Sequence, residues 1–180
     1  KRQALALSGS QRPKTLPDQW VLLATERVMP HLDRTKTLLS RDELLEHARR
    51  TCRDMLADQQ GQHNAASIRG CYTPDGRTCP SATRLEGLLA ALQFLPDGEQ
   101  ELRNDLRKSV DIGIRFLVES QITEGPYAGG LPRVTLKFSE PDQENAPADA
   151  FPTEIRIDYV QHALSALLAY QRELSSRNEE

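Results

Sequence analysis

Two short phrases pair a cation with an acid: Arg84-Leu85-Glu86 and Arg156-Ile157-Asp158, a constant 72 residues apart (156 − 84 = 72). Two carboxylates carried by neighbouring helices could divide general-acid and general-base work, one protonated and the other ionised. Four residues after Asp158 stands His162, on the same face of a helix. The carboxylate could hold one ring nitrogen there and leave the other as base or ligand. Tyr159 and Gln161 lie between them, with groups that could bind hydroxyls, so Asp158 to His162 is the densest polar cluster in an otherwise apolar stretch. Each feature also has a plain structural reading. Acids in a first turn are favoured by the helix dipole, an arginine two residues before an acid can be a structural pair, and His162 can pack between helices bonded to Asp158.

The other reactive residue types are scattered. Cys71 and Cys79 flank a turn-rich stretch, where a small disulfide loop competes with two reduced thiols. Cys52 falls on an apolar helical face and reads as core. His31, His47 and His63 stand isolated in polar sequence and take no role. Nothing completes a tetrahedral zinc site or a nucleophile–base triad, and Gly129-Gly130 lacks the Lys-Ser/Thr of a phosphate loop. No metal and no cofactor is expected.

Composition narrows the classes further. The chain has 180 residues, enough for one domain with a real core, with 38% hydrophobic and 27% charged residues, as in soluble proteins. The net charge of −3 comes with arginines interleaved among acids rather than in a basic stripe, so no nucleic-acid partner is expected. No apolar run approaches the roughly 20 residues of a membrane span, and no charged-then-apolar signal segment opens the chain. The first residue is Lys1, not Met, so the chain is expected to be processed, trimmed or part of a larger chain or oligomer. Localisation leans cytoplasmic, or periplasmic or secreted should Cys71 and Cys79 be bridged.

These residues must be positioned by helices. Residues 1–17 read as an arm, 18–174 as the helical domain and 175–180 as a solvated tail. Asp18 caps a helix over about residues 19–28, and Ser40 with Glu43 forms a capping box for the next, which runs out at Gln60-Gly61. Ser81 or Thr83 caps a helix through Leu95. Pro96-Asp97-Gly98 turns the chain into a helix over about 99–121, and the last helix spans about 153–174. Long loops occupy 61–80, with a Pro74-Asp75-Gly76 turn, and 122–154, where residues 131–138 alternate like one edge of a small β-hairpin. The phrase Leu22-Leu23-Ala24 recurs as Leu88-Leu89-Ala90 (88 − 22 = 66), and Met55-Leu56 is echoed by Phe116-Leu117 (116 − 55 = 61). A repeat at this spacing reads as stacked helical hairpins with the long loops on one side and the short turns on the other.

The pattern resembles the (α/α) toroids: six-hairpin glycosidases, sugar epimerases and polysaccharide lyases, and terpenoid-cyclase barrels. The residues that carry the resemblance are Asp58-Gln59-Gln60, Glu119-Ser120-Gln121, Gly129-Gly130-Leu131-Pro132 and the small-residue inner helices, and it spans about residues 18–174. It implies an all-α fold, here a partial toroid, because five helices are too few to close six hairpins. It also implies a carbohydrate or other small polar ligand at the inner-helix N-termini. Glu86 and Asp158 then become the acid/base pair, at the roughly 6.5–9.5 Å of an inverting glycosidase, with His162 as partner. Arg84, Arg133 and Arg156 would bind acidic sugar groups. Trp20, level with Glu86 under the offset of 66, would stack on a sugar face, its structural alternative being a core residue. Tyr72 and Tyr127 would line the same mouth. The competing expectation is a non-catalytic helical-repeat interaction domain of a larger protein.

Overall fold

Side-chain capping sets where the first two helices begin. In the computed structural model, which describes residues 18–34, 39–61, 66–136 and 153–178, α1 spans Gln19–Val28. Its N-cap is Asp18, whose Oδ1 accepts from the backbone N–H groups of Trp20 (3.0 Å) and Val21 (3.3 Å). A short 3₁₀ turn, Met29–Arg34, follows. The second helix, α2 (Arg41–Gln60), starts at the Ser40/Glu43 capping box. Then come α3 (Thr78–Phe94), α4 (Gln100–Glu119) and α5 (Ile157–Arg177). The protein is mostly helical, and no strand occurs among the described residues.

Three boundaries differ from the sequence reading. Helix α3 begins at Thr78, ahead of Ser81 and Thr83, and has no side-chain cap. Pro80 sits in its first turn, where a missing N–H costs nothing, and the Thr78 N–H is satisfied by the Arg133 carbonyl at 3.1 Å. Ser81 ties the preceding loop to the helix instead, its hydroxyl donating to Arg77 O (2.8 Å) and accepting from Tyr72 N (3.2 Å). Helix α5 starts at Ile157 and runs to Arg177, into the segment expected as tail. The expected hairpin over 131–138 is reduced to isolated bridges, Arg77 with Val134 and Pro132 with Ile155. Residues 137 and 138, like the arm at 1–17, lie outside the described residues. The first bridge joins the two long loops beside the start of α3, and the second ties Pro132 to the residues just before α5.

Helix α3 is the centre of the packing, set most extensively against α5 and α1, then α4 and α2. Leu85, Leu88, Leu89, Ala91 and Leu92 are almost fully buried on it. Its small residues let neighbours approach: a Cβ on Gly87 would lie 3.0 Å from Cα and Cβ of Gln19, so α1 crosses α3 there at close range. On α4, a Cβ on Gly113 would lie 2.8 Å from Cδ2 of Leu85.

Polar pairs give the register between helices. Arg49 Nη2 bonds Glu99 Oε1 (2.6 Å) and Gln59 Nε2 bonds Ser109 O (3.0 Å), both 50 residues apart, so α2 and α4 run in the same direction. His162 meets Glu86 (2.9 Å) and Gln93 meets Glu173 (3.3 Å), so α3 and α5 also run in the same direction. Helices α1, α3 and α5 share the walls and floor of one groove, while Gln59 and Arg103 fasten α2 and α4 to each other and to the C-terminal end of α3. Glu173, 3% exposed, ties three helices by accepting from Gln93, Arg107 and Arg177. Among the described residues no helix is long and apolar enough to cross a membrane.

Candidate functional site

The groove between α1, α3 and α5 has a volume of about 270 Å³. Its floor is Glu86, Leu89, Ala90 and Gln93 of α3, between α1 (Leu23, Glu26, Arg27) and α5 (Ser165, Ala169, Arg172). Small residues, Ala90 and Ala169, keep it open where leucines elsewhere on α3 fill the core.

Glu86 is 7% exposed, and its Oε2 lies 2.9 Å from Nδ1 of His162, a side chain itself 15% exposed. A carboxylate only accepts, so Nδ1 donates to it, and in a neutral ring Nε2 is the nitrogen with a lone pair for a ligand. The indole of Trp20 meets the His162 ring edge-on, with centroids 6.3 Å apart and planes at 71°. Trp20 is 62% exposed, so it is not a core residue. Three residues singled out from sequence, on three different helices, therefore adjoin: Trp20, Glu86 and His162.

Asp158 does not hold His162. Its Oδ1 pairs with Arg156 Nε at 3.2 Å, an exposed contact at the start of α5, and Glu86 takes the imidazole instead. The physical reason is the side-by-side register of α3 and α5. It brings a buried carboxylate from the neighbouring helix to the ring, whereas Asp158 stands one turn earlier beside its own arginine.

The expected ligand-binding arginines are already engaged. Arg84 donates from Nη1 to the Pro80 carbonyl (3.1 Å), one turn back on its own helix. Arg133 reaches Glu154 at 3.8 Å, and Glu154 also accepts from the Tyr159 hydroxyl at 3.2 Å. Arg156 lies 5.6 Å from the centroid of the Tyr159 ring. Tyr159 is buried, and that burial, followed by the Glu154 charge, pushes its hydroxyl pKa up. Arg133, Glu154, Arg156, Asp158 and Tyr159 thus form a connected cluster at the beginning of α5, and Gln161 is exposed beside it. Of the loop tyrosines, Tyr72 is buried, its hydroxyl 2.8 Å from Ser109 Oγ, so it does not line a mouth. Tyr127 is exposed.

Sequence spacing alone did not reveal Cys79 as a neighbour of this region. It lies in the first turn of α3, half-buried. Burial first, then the Asp158 and Glu86 charges, pushes its thiol pKa up. With the helix started at Thr78, Cys79 and Glu86 are seven residues apart and share a face. A helix begun at Ser81 leaves Cys79 outside it and hides that spacing. Cys71 and Cys79 are both free thiols, and Cys71 Sγ bonds Ser81 Oγ (3.2 Å) and Thr73 Oγ1 (3.3 Å). Burial likewise raises Cys71.

Comparisons of the chain with protein-family models, with curated proteins and with solved structures find no match.

Proposed function

We propose that the protein is a carbohydrate-binding helical-hairpin domain that takes a sugar-like polyol in the groove between α1, α3 and α5. One observation carries this reading: Glu86 in the groove floor is paired with His162, whose ring meets the exposed indole of Trp20. Sugar sites combine an aromatic face for stacking with a few fixed polar groups for hydroxyls, and these three residues supply both. If the site is catalytic, His162 Nε2 is the base and Glu86 its positioning residue. Asp158 is the weaker candidate, since Arg156 already neutralises it.

Trp20 is the only tryptophan in the chain, so its fluorescence reports on the site without a label. Titrating neutral and acidic oligosaccharides should shift its emission in a saturable way, and Glu86→Gln should weaken the response several-fold. A flat signal and no binding heat across the panel would sink the proposal.

A second reading, a repeat-type interaction domain, draws on α5. Under the offset of 72, Leu85, Leu88 and Leu92 correspond to Ile157, Val160 and Leu164. The first three are 0%, 0% and 2% exposed; the second three are 88%, 38% and 54%. The stripe that neighbouring helices cover on α3 is thus uncovered on α5, as at the open edge of an arc in an (α/α) toroid. We read its natural cover as a further helical hairpin. Leu164→Asp should then change the thermal stability of this chain little, because the side chain is 54% exposed and is not among the buried core residues. A drop of several degrees would show that α5 is already complete.

A further inference from the structure

We infer that the groove contains an oxyanion subsite formed by Arg27 and Arg172, at the end away from Glu86 and His162. This rests on the groove being a ligand site and adds the charge class of the ligand.

Arg84, Arg103, Arg107, Arg156 and Arg177 are all committed to carbonyls or carboxylates. Arg27 and Arg172 line the groove from opposite walls, and among the described residues neither side chain has an ion-pair or hydrogen-bond partner. Arg27 lies seven residues beyond Trp20 on α1, and Arg172 ten beyond His162 on α5. At 1.5 Å per residue these separations are about 10 and 15 Å along the helices. The imidazole end and the guanidinium end are thus far enough apart to be engaged by different parts of one extended ligand.

Guanidinium groups present paired N–H donors that match a carboxylate or sulfate bidentately. Glu26 faces the same groove beside Arg27. Its charge opposes a dense polyanion while its oxygens can accept from hydroxyls. The combination fits an isolated oxyanion on an otherwise neutral polyol, meaning a carboxylated or singly sulfated sugar.

The experiment compares three probes by calorimetry: digalacturonate, its neutral dimethyl ester, and a monosulfated neutral disaccharide. It uses the parent chain, Arg27→Gln and Arg172→Gln. Both arginines are exposed, so the variants should keep the parent's circular dichroism. The expected result is binding of an anionic probe about tenfold tighter than the ester, weakening as salt rises. Each substitution should cost about three- to tenfold for that anion and leave the ester unchanged. Preference for digalacturonate over the sulfated probe assigns a carboxylate, and the reverse assigns a sulfate. Equal binding of all three probes overturns the oxyanion subsite while leaving the groove reading intact. An anion preference that survives both substitutions overturns the assignment to Arg27 and Arg172. Binding of none of the probes overturns the groove reading itself.

Discussion

Removing the charge of Glu86 is the most direct test of how the groove is built. Its carboxylate is 7% exposed and bonds an imidazole that is 15% exposed, so little solvent screens the pair. A hydrogen bond to a charged group contributes about 1.5–3 kcal/mol, against about 0.5–1.5 for a neutral one. Glu86→Gln keeps the shape and loses the difference, about 1 kcal/mol. Glu86→Ala loses the bond, strands the Nδ1–H of His162 and removes buried methylenes, for about 2–4 kcal/mol. In a chain of this size each kcal/mol moves Tm by about 2–4 °C. The expected losses are therefore about 2–4 °C for Gln and about 4–16 °C for Ala. Thermal unfolding followed by circular dichroism gives the single-variant values, and a cycle with His162→Ala isolates the pair. A coupling energy above about 1 kcal/mol is expected. A value within the roughly 0.5 kcal/mol scatter of independent sites would refute the claim that Glu86 and His162 act as a unit.

Three further outcomes follow from other parts of the structure. Gly70 has φ of +93° and a Cβ there would collide with the carbonyl of Ile112, so Gly70→Ala should lower Tm by more than about 4 °C; an unchanged Tm would contradict the close approach of this loop to α4. Burial pushes Cys52 up to about 12 and also raises Cys71, so a thiol reagent at pH 8 should label the half-buried Cys79 first. Labelling of Cys52 at the same rate would disprove its burial. Glu43 accepts from the Ser40 backbone N–H and hydroxyl, which holds its carboxyl below the usual 4.5. Its contribution to stability is complete above 4.5 and is lost as pH falls through the lowered value. Glu43→Gln, which removes the titrating group, should therefore flatten the loss of stability on acidification below 4.5, and an unaltered acid profile would mean the capping box adds nothing measurable.

The features legible in the sequence are local. Asp18 and the Ser40/Glu43 box marked helix starts because a cap is made by residues two or three apart. The apolar stripe of α2, from Leu45 through Cys52 to Met55, followed helical spacing and is buried. The repeat identified α1, α3 and α5 as related helices, and it put Trp20 level with Glu86. The errors also have local causes. Ser81 looked like a cap because a serine before an apolar run often is one. Its hydroxyl was instead drawn to Tyr72 and Arg77 by the packing of the loop.

The choice of partners was decided only in three dimensions. Asp158 was the obvious companion for His162 because it is four residues away, yet the ring is held by Glu86, 76 residues away. That distance in sequence carries no signal in a single chain, since it depends on the stagger between α3 and α5, which many core contacts set together. Packing of α1 and α5 on either side of α3 places Arg27 and Arg172 in the lining of one groove, whereas Arg84 and Arg156 are engaged by neighbours in sequence, the Pro80 carbonyl and Asp158. The sequence by itself determined that helices would form, roughly where, and which polar residues stood near one another along them. Only tertiary packing decided which polar groups were paired off and which were left open to a ligand, because pairing depends on the relative register of helices and not on the period within any one of them.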